Sequence, residues 1–355
     1  MQTETGRDIT KMRIWKKKTA CLFLIRRTSC GIVCSLLLSG CAGQNDGVKE
    51  QEVFVEEEVQ EQEILSKEEI EAQGTTGQKM PEKDPESAEQ RRPEPETIEA
   101  DWSEYFDGLQ GAAVVYDVSA HQFTIYNREL AKTRRSPCST FKIISSLAAL
   151  ENGIVVPADS MREWSGEVFW NDEWNKDIDF ESAFRASCVW YFREVIDEIG
   201  QEQMQKELER LAYGNCDISD WEGRWNTNNN NRALTGFWIE SSLVISPKEQ
   251  TEVMERIFGE NSVYLEQTRK ELKKVMLVEE QKEAGLFLYG KTGMGKAEGV
   301  VVDAWFAGFA ESTEKSVYFC VYLGKTEDRN VTSTAAKEIA IRLVSDYYET
   351  ASCSQ

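Results

Sequence analysis

A serine and a lysine three residues apart, in Ser139-Thr-Phe-Lys142, open an apolar run. On a helix, i, i+3 spacing places the two side chains on one face about a turn apart. A serine hydroxyl is a poor nucleophile and needs a base within hydrogen-bond reach, whereas an ordinary lysine, with a pKa near ~10.4, is protonated at neutral pH and cannot act as one. Burial favours the neutral amine, and Phe141, Ile143 and Ile144 supply an apolar setting. At a helix start, the Ser139 N–H can point at the oxyanion that forms when the hydroxyl attacks a carbonyl. The chemistry indicated is acyl transfer, with Ser139 as nucleophile and Lys142 as the source of its base. The tetrapeptide alone is a weak signal, because an ordinary helix start looks the same.

The elements that must position this pair can be read around it. GAAVVYDV and QFTIYN alternate as two strands joined by Ser119, Ala120 and His121. A helix is expected from Pro137 to about Leu150, with proline pre-set for the first turn and Gly153 suited to the C-terminal cap. A largely helical middle with long loops runs to about Phe258. Strands return in LFLYGKTG, GVVVDAWFAGFA and SVYFCVYLG, before a closing helix, TAAKEIAIRLVSDYY. Strands at both ends of a helical insertion imply a sheet built from distant segments with helices packed on it, an α+β fold.

Composition excludes other chemistries. With 41 basic against 62 acidic residues, a formal charge of -21 and no basic stripe, the chain lacks what nucleic-acid binding requires. The single histidine, His121, sits at a hairpin turn and suits neither a triad nor a two-imidazole metal site, so no metal is expected. Four of the nine cysteines lie in the first 41 residues. The other five, Cys138, Cys188, Cys216, Cys320 and Cys353, form no disulfide framework and read as buried small hydrophobes.

The chain divides into three segments. Residues 1–40 pair a basic stretch with an apolar run, Gly31 to Leu38, too short to span a bilayer, as a signal peptide does. Its end, Leu-Ser-Gly-Cys, resembles a lipobox, so Cys41 is expected to carry lipid and to hold the protein at the outer face of the cell membrane. Residues 41–100 form an acidic tether: from Asn45 to Ala100 there are eighteen Asp or Glu against six Lys or Arg and no tryptophan. Residues 101–355 have the texture of one folded domain.

Downstream of Ser139 lie Ser187-Cys-Val189, Tyr213-Gly-Asn215, FWIESSLVISPKEQ from Phe237 to Gln250, and Lys291-Thr-Gly293 at a strand end. In this order and at these intervals they resemble the class D (oxacillinase-type) serine β-lactamases and their relatives, the β-lactam sensor domains of Gram-positive membrane receptors, over roughly Ala112 to Asp346. The resemblance implies a penicillin-binding transpeptidase-like fold, with an antiparallel sheet flanked by helices and an all-helical subdomain. It implies a β-lactam as substrate and an acyl-enzyme on Ser139. No bound cofactor is implied beyond a carbon dioxide-derived carbamate on Lys142. Trp238 matches the residue whose indole N–H bonds that carbamate, Val189 the apolar residue that covers it, and Ser187 the group passing a proton to the ring nitrogen. Lys291, Thr292 and Gly293 match the strand that binds the substrate carboxylate, and the N–H of Met294 the second oxyanion donor. Tyr213 and Asn215 are candidates on the substrate side, with a plain turn as the competing reading. The family arginine after the last strand has no clear counterpart in GKTEDRNVTSTAAKEI, and Arg329 is the nearest candidate. Three activities share this pocket: a hydrolase, a sensor that stays acylated, and a cell-wall D,D-peptidase. The hydrolase is expected, because Val189 suits a buried carbamate and no multi-helix membrane region or metalloprotease motif precedes the domain here.

Overall fold

The computed structural model describes residues 94–223, 230–278 and 285–352, all within a compact unit spanning Asp84–Gln355. The leader, Cys41, most of the acidic segment and Cys353 lie outside the described residues.

The domain starts with strand β1 (Glu96–Glu99) and a single helical turn, α1 (Ser103–Phe106). A hairpin follows, β2 (Gly111–Asp117) and β3 (Gln122–Tyr126), with His121 in left-handed conformation at its turn. After a short helix α2 (Arg128–Ala131), a 3-10 turn, Cys138–Phe141, leads into α3 (Lys142–Glu151). Helices α4 (Phe180–Arg185), α5 (Val189–Ile199), α6 (Gln201–Leu211), α7 (Pro247–Phe258) and α8 (Glu266–Met276) form the helical part. The chain closes with β4 (Phe287–Ala297), β5 (Val300–Glu311), β6 (Ser316–Gly324) and α9 (Ser333–Ser352).

The six strands lie in the order β1-β3-β2-β6-β5-β4. All neighbours are antiparallel except β1 and β3, which run parallel. Strand β1 comes from the stretch whose composition reads as tether, so the folded unit begins earlier than residue 101. Backbone pairing is enough to recruit it: an edge strand needs no buried side chains, and three of its four residues are exposed.

Alternation assigns the two faces of the sheet. Ala113 and Val115 of β2, with Phe319 and Val321 of β6, pack beneath Ile339, Ala340 and Leu343 of α9. Ala112, Val114 and Tyr116 face the other core, which continues into α3, α5 and α7. Both faces are covered, which explains why every residue of β2 is buried. Left-handed Glu298 and Gly299 make the two-residue turn between β4 and β5, leaving one edge of β4 to face the helical part. Among the described residues, four cysteines are free, and Cys138, Cys188 and Cys320 of these are buried.

Candidate active site

Ser139 lies on the 3-10 turn and Lys142 is the first residue of α3, a small departure from the continuous helix read from the sequence. The cause is local: Cys138 takes a left-handed φ of 50° just after Pro137, so the chain turns sharply before the α-helix is established. Three contacts fix the turn. The Cys138 N–H donates to the Trp238 carbonyl at 2.9 Å. Thr140 Oγ1 donates to the Pro137 carbonyl and accepts from Gln250 Nε2 of α7, both at 2.8 Å. On the far side Gly293 of β4 comes so close that a Cβ there would lie 2.9 Å from the Pro137 carbonyl oxygen and 3.0 Å from Thr140 Cγ2. Glycine is needed at 293 for this approach.

Lys142 is 1% exposed, and its Nζ donates to Ser139 Oγ at 3.1 Å. It sits 5.4 Å from the centre of the Phe192 ring, with no ion pair to any described residue. Burial lowers its pKa to about 8, and the nearby thiols of Cys188 and Cys138 oppose the shift only in part. At pH 7 about a tenth of such an amine is neutral, against less than about a thousandth for an unperturbed lysine.

Trp238 packs against the turn that carries this pair, through Phe141 and the Cys138 N–H. Its ring is wholly buried, stacks 6.0 Å from Phe141 and meets Phe237 edge-on at 5.1 Å. Its indole Nε1 is buried and has no hydrogen-bond partner among the described residues. An orphaned buried donor is rare and expects an acceptor. An anionic group on Lys142 would be one, so these residues fit a carbamate.

Ser187 and Lys291 join the helical part to the sheet. Ser187 has a left-handed φ of 55° and precedes α5; Lys291 Nζ donates to its Oγ at 3.1 Å and to the carbonyl and hydroxyl oxygens of Thr292 at 3.2 and 3.3 Å. Lys291 is 5% exposed, and burial together with the charge of Lys142 holds its pKa well below the usual lysine range.

Ser139, Ser187, Val189, Thr292, Gly293 and Met294 line one cleft of about 540 Å3, whereas Lys142, Trp238 and Lys291 are not among its lining residues. Among the wall residues that sequence reasoning missed are Trp170, 69% exposed and 4.8 Å from the Trp174 ring, and Lys296, which follows a register shift in β4. The bulge was invisible in the residue string, but the tryptophan-rich stretch 164–174 was a signal.

Three expected substrate-side residues lie elsewhere. Arg329 pairs with Asp107 at 3.3 Å, also donates to that residue's carbonyl, and lines a hollow beside α9. The bend after β6 carries it toward α1. Tyr213 is wholly buried, edge-on to Phe141 at 5.6 Å. Asn215 braces the segment after Trp238, donating to the Ser242 carbonyl at 2.8 Å and accepting from the Val244 N–H at 3.0 Å. The tripeptide shapes the loop beneath the site, as turn chemistry allows.

The penicillin binding protein transpeptidase domain matches residues 103–345. Regulatory protein BlaR1 of Bacillus licheniformis is 32% identical over 246 residues, covering 69% of this chain but only 38% of that protein. Probable β-lactamase YbxI of Bacillus subtilis (strain 168) is 32% identical over 242 residues, covering 68% of this chain and 82% of that one. Among solved structures, the C-terminal domain of the Bacillus licheniformis BlaR penicillin receptor superposes with a TM-score of 0.62 at 29% identity, over 72% of this chain and 98% of that one. The class D β-lactamase BSU-2 delta mutant superposes with a TM-score of 0.59 at 30% identity, over 69% and 94%. The chain therefore belongs to the penicillin-binding-protein transpeptidase family, with class D β-lactamases and BlaR-type receptor domains among its homologues.

Proposed function

We propose that this protein is a serine β-lactamase that opens the β-lactam ring through an ester on Ser139. The observation that carries the reading is a buried lysine inclined to neutrality, bonded to the hydroxyl it must serve. Ser139 Oγ attacks the lactam carbonyl, and the N–H groups of Ser139 and Met294 receive the oxyanion. The C–N bond of the ring breaks, and Ser187, held by Lys291, passes a proton to the departing nitrogen. Water then cleaves the ester and frees Ser139. When carboxylated, Lys142 supplies an anionic oxygen base for the serine and later for that water. Trp238 offers its N–H to that group and Val189 keeps solvent from it. Thr292 and Lys296 take the substrate carboxylate, since no arginine lines the cleft among the described residues.

Carbon dioxide adds only to the neutral amine, so carboxylation weakens as pH falls through about 8. At low carbon dioxide, hydrolysis of a chromogenic cephalosporin is expected to fall as pH drops below 8, and bicarbonate to restore it. Lys142→Ala is expected to stay folded and to lose about a thousandfold in rate. A bicarbonate-insensitive wild type, or an active Lys142→Ala protein, would refute the assignment of the base.

The similarity to BlaR favours a second reading, in which Ser139 is acylated and stays so. It uses the same cleft and differs only in the fate of the ester. We also propose that lipid on Cys41 holds the domain at the outer membrane face, from the lipobox-like Leu-Ser-Gly-Cys. Cys41→Ala should then move the protein from the membrane to the soluble fraction, and continued membrane retention would count against it.

A further inference from the structure

Helix α5 carries a charge that the chemistry above does not use. Arg193 stands one turn after Val189 and is 2% exposed. Its guanidinium carbon lies 5.5 Å from the centre of the Trp238 ring and 5.3 Å from that of Trp221. Nη1 donates to the Trp221 carbonyl at 2.9 Å, Nε to one Asp197 oxygen at 3.3 Å, and Nη2 to the other. Arg232 also donates to both oxygens of Asp197.

Burying a guanidinium costs stability unless its charge is used, and removal from water strengthens whatever it faces. A cation against the face of an indole draws on the ring's electrons and leaves the N–H at its edge a stronger donor. That N–H, Trp238 Nε1, is the buried donor with no partner. We infer that Arg193 is a positioning residue for the base: it locks and polarises Trp238 so that the indole N–H holds a carboxylate formed on Lys142. The inference rests on Lys142 being carboxylated. Carbon dioxide bonds to the neutral amine nitrogen, one proton leaves to solvent, and a net negative charge remains in the pocket. Arg193 and the Trp238 N–H lower the cost of that charge.

Arg193→Met keeps an unbranched apolar stem against both rings, and Asp197 stays paired with Arg232, so no bare carboxylate is left behind. Carbamate occupancy is read by 13C NMR on protein equilibrated with graded 13C-bicarbonate. The bicarbonate concentration for half occupancy is expected to rise about tenfold in Arg193→Met, while KM for a β-lactam at saturating bicarbonate stays within about twofold of wild type. Arg193→Lys keeps a cation but loses the planar fork that ties it to Asp197 and the Trp221 carbonyl, and should give a smaller rise of about threefold; it carries the test if Arg193→Met does not fold. Unchanged half occupancy in the folded variants, even with a lower thermal midpoint, overturns the inference, because a packing role alone would give that result. A wild type with no carbamate signal refutes the carboxylated lysine itself, and with it any role for Arg193 in holding one.

Discussion

Lys296 and Arg329 present the sharpest contrast between two cations near the end of the fold. Lys296 lines the cleft, and its ammonium has no ion-pair partner among the described residues; Arg329 is held by Asp107 outside the cleft. An exposed lysine meeting a ligand carboxylate contributes little but measurable affinity. Lys296→Ala is expected to raise KM for penicillins about fivefold with kcat nearly unchanged, and Arg329→Ala to leave both within about twofold. Steady-state kinetics of the two variants decide the matter, and the reverse pattern would return the carboxylate to Arg329. Residue types and spacing singled out Ser139 and Lys142, and the family resemblance added Ser187, Trp238 and Lys291. They could not separate Lys296 from Arg329, since that depends on a β-bulge and on a distant aspartate, neither of which leaves a mark in local spacing.

At the scale of elements, the site is a junction of three pieces: the Cys138–Phe141 turn, the start of α5 and the open edge of β4. Three cleft residues that are not glycine, Cys138, Ser187 and Glu240, hold left-handed backbone, a strain that surrounding contacts must overcome. Gly293 sets the distance between strand and turn. A methyl group there would push β4 away by a few tenths of an ångström, and displacements of that order can cost about a hundredfold in rate. Gly293→Ala should therefore lose about a hundredfold in kcat/KM while its far-ultraviolet circular dichroism stays that of wild type; near-normal activity would show that the strand tolerates the shift. The elements themselves were largely readable. The strands at both ends and the closing helix follow from alternation and helical period. Helix α8 was missed although Thr268, Leu272, Val275 and Met276 bury one face of it, because its mean composition is strongly polar. Strand β1 was missed because an acidic edge strand looks like the tether it continues.

Across the folded domain, two cores lie on opposite faces of one sheet, and the apolar lining of the cleft, with Trp174, Val189, Leu234 and Ile239, belongs to the core that includes the helical part. This arrangement serves a hydrolase and a receptor domain equally well, and BlaR1 and YbxI are both 32% identical to this chain. Fold and family therefore do not separate the two, and the proposed hydrolysis rests on Lys142 being carboxylated. Intact-mass spectrometry of the protein mixed with a small excess of penicillin in bicarbonate buffer reads that fate directly. An adduct of one penicillin mass on Ser139 that appears and then decays to unmodified protein, as hydrolysed drug accumulates, is the expected result. An adduct that persists after the free drug is removed, or one that maps to another residue, would contradict it.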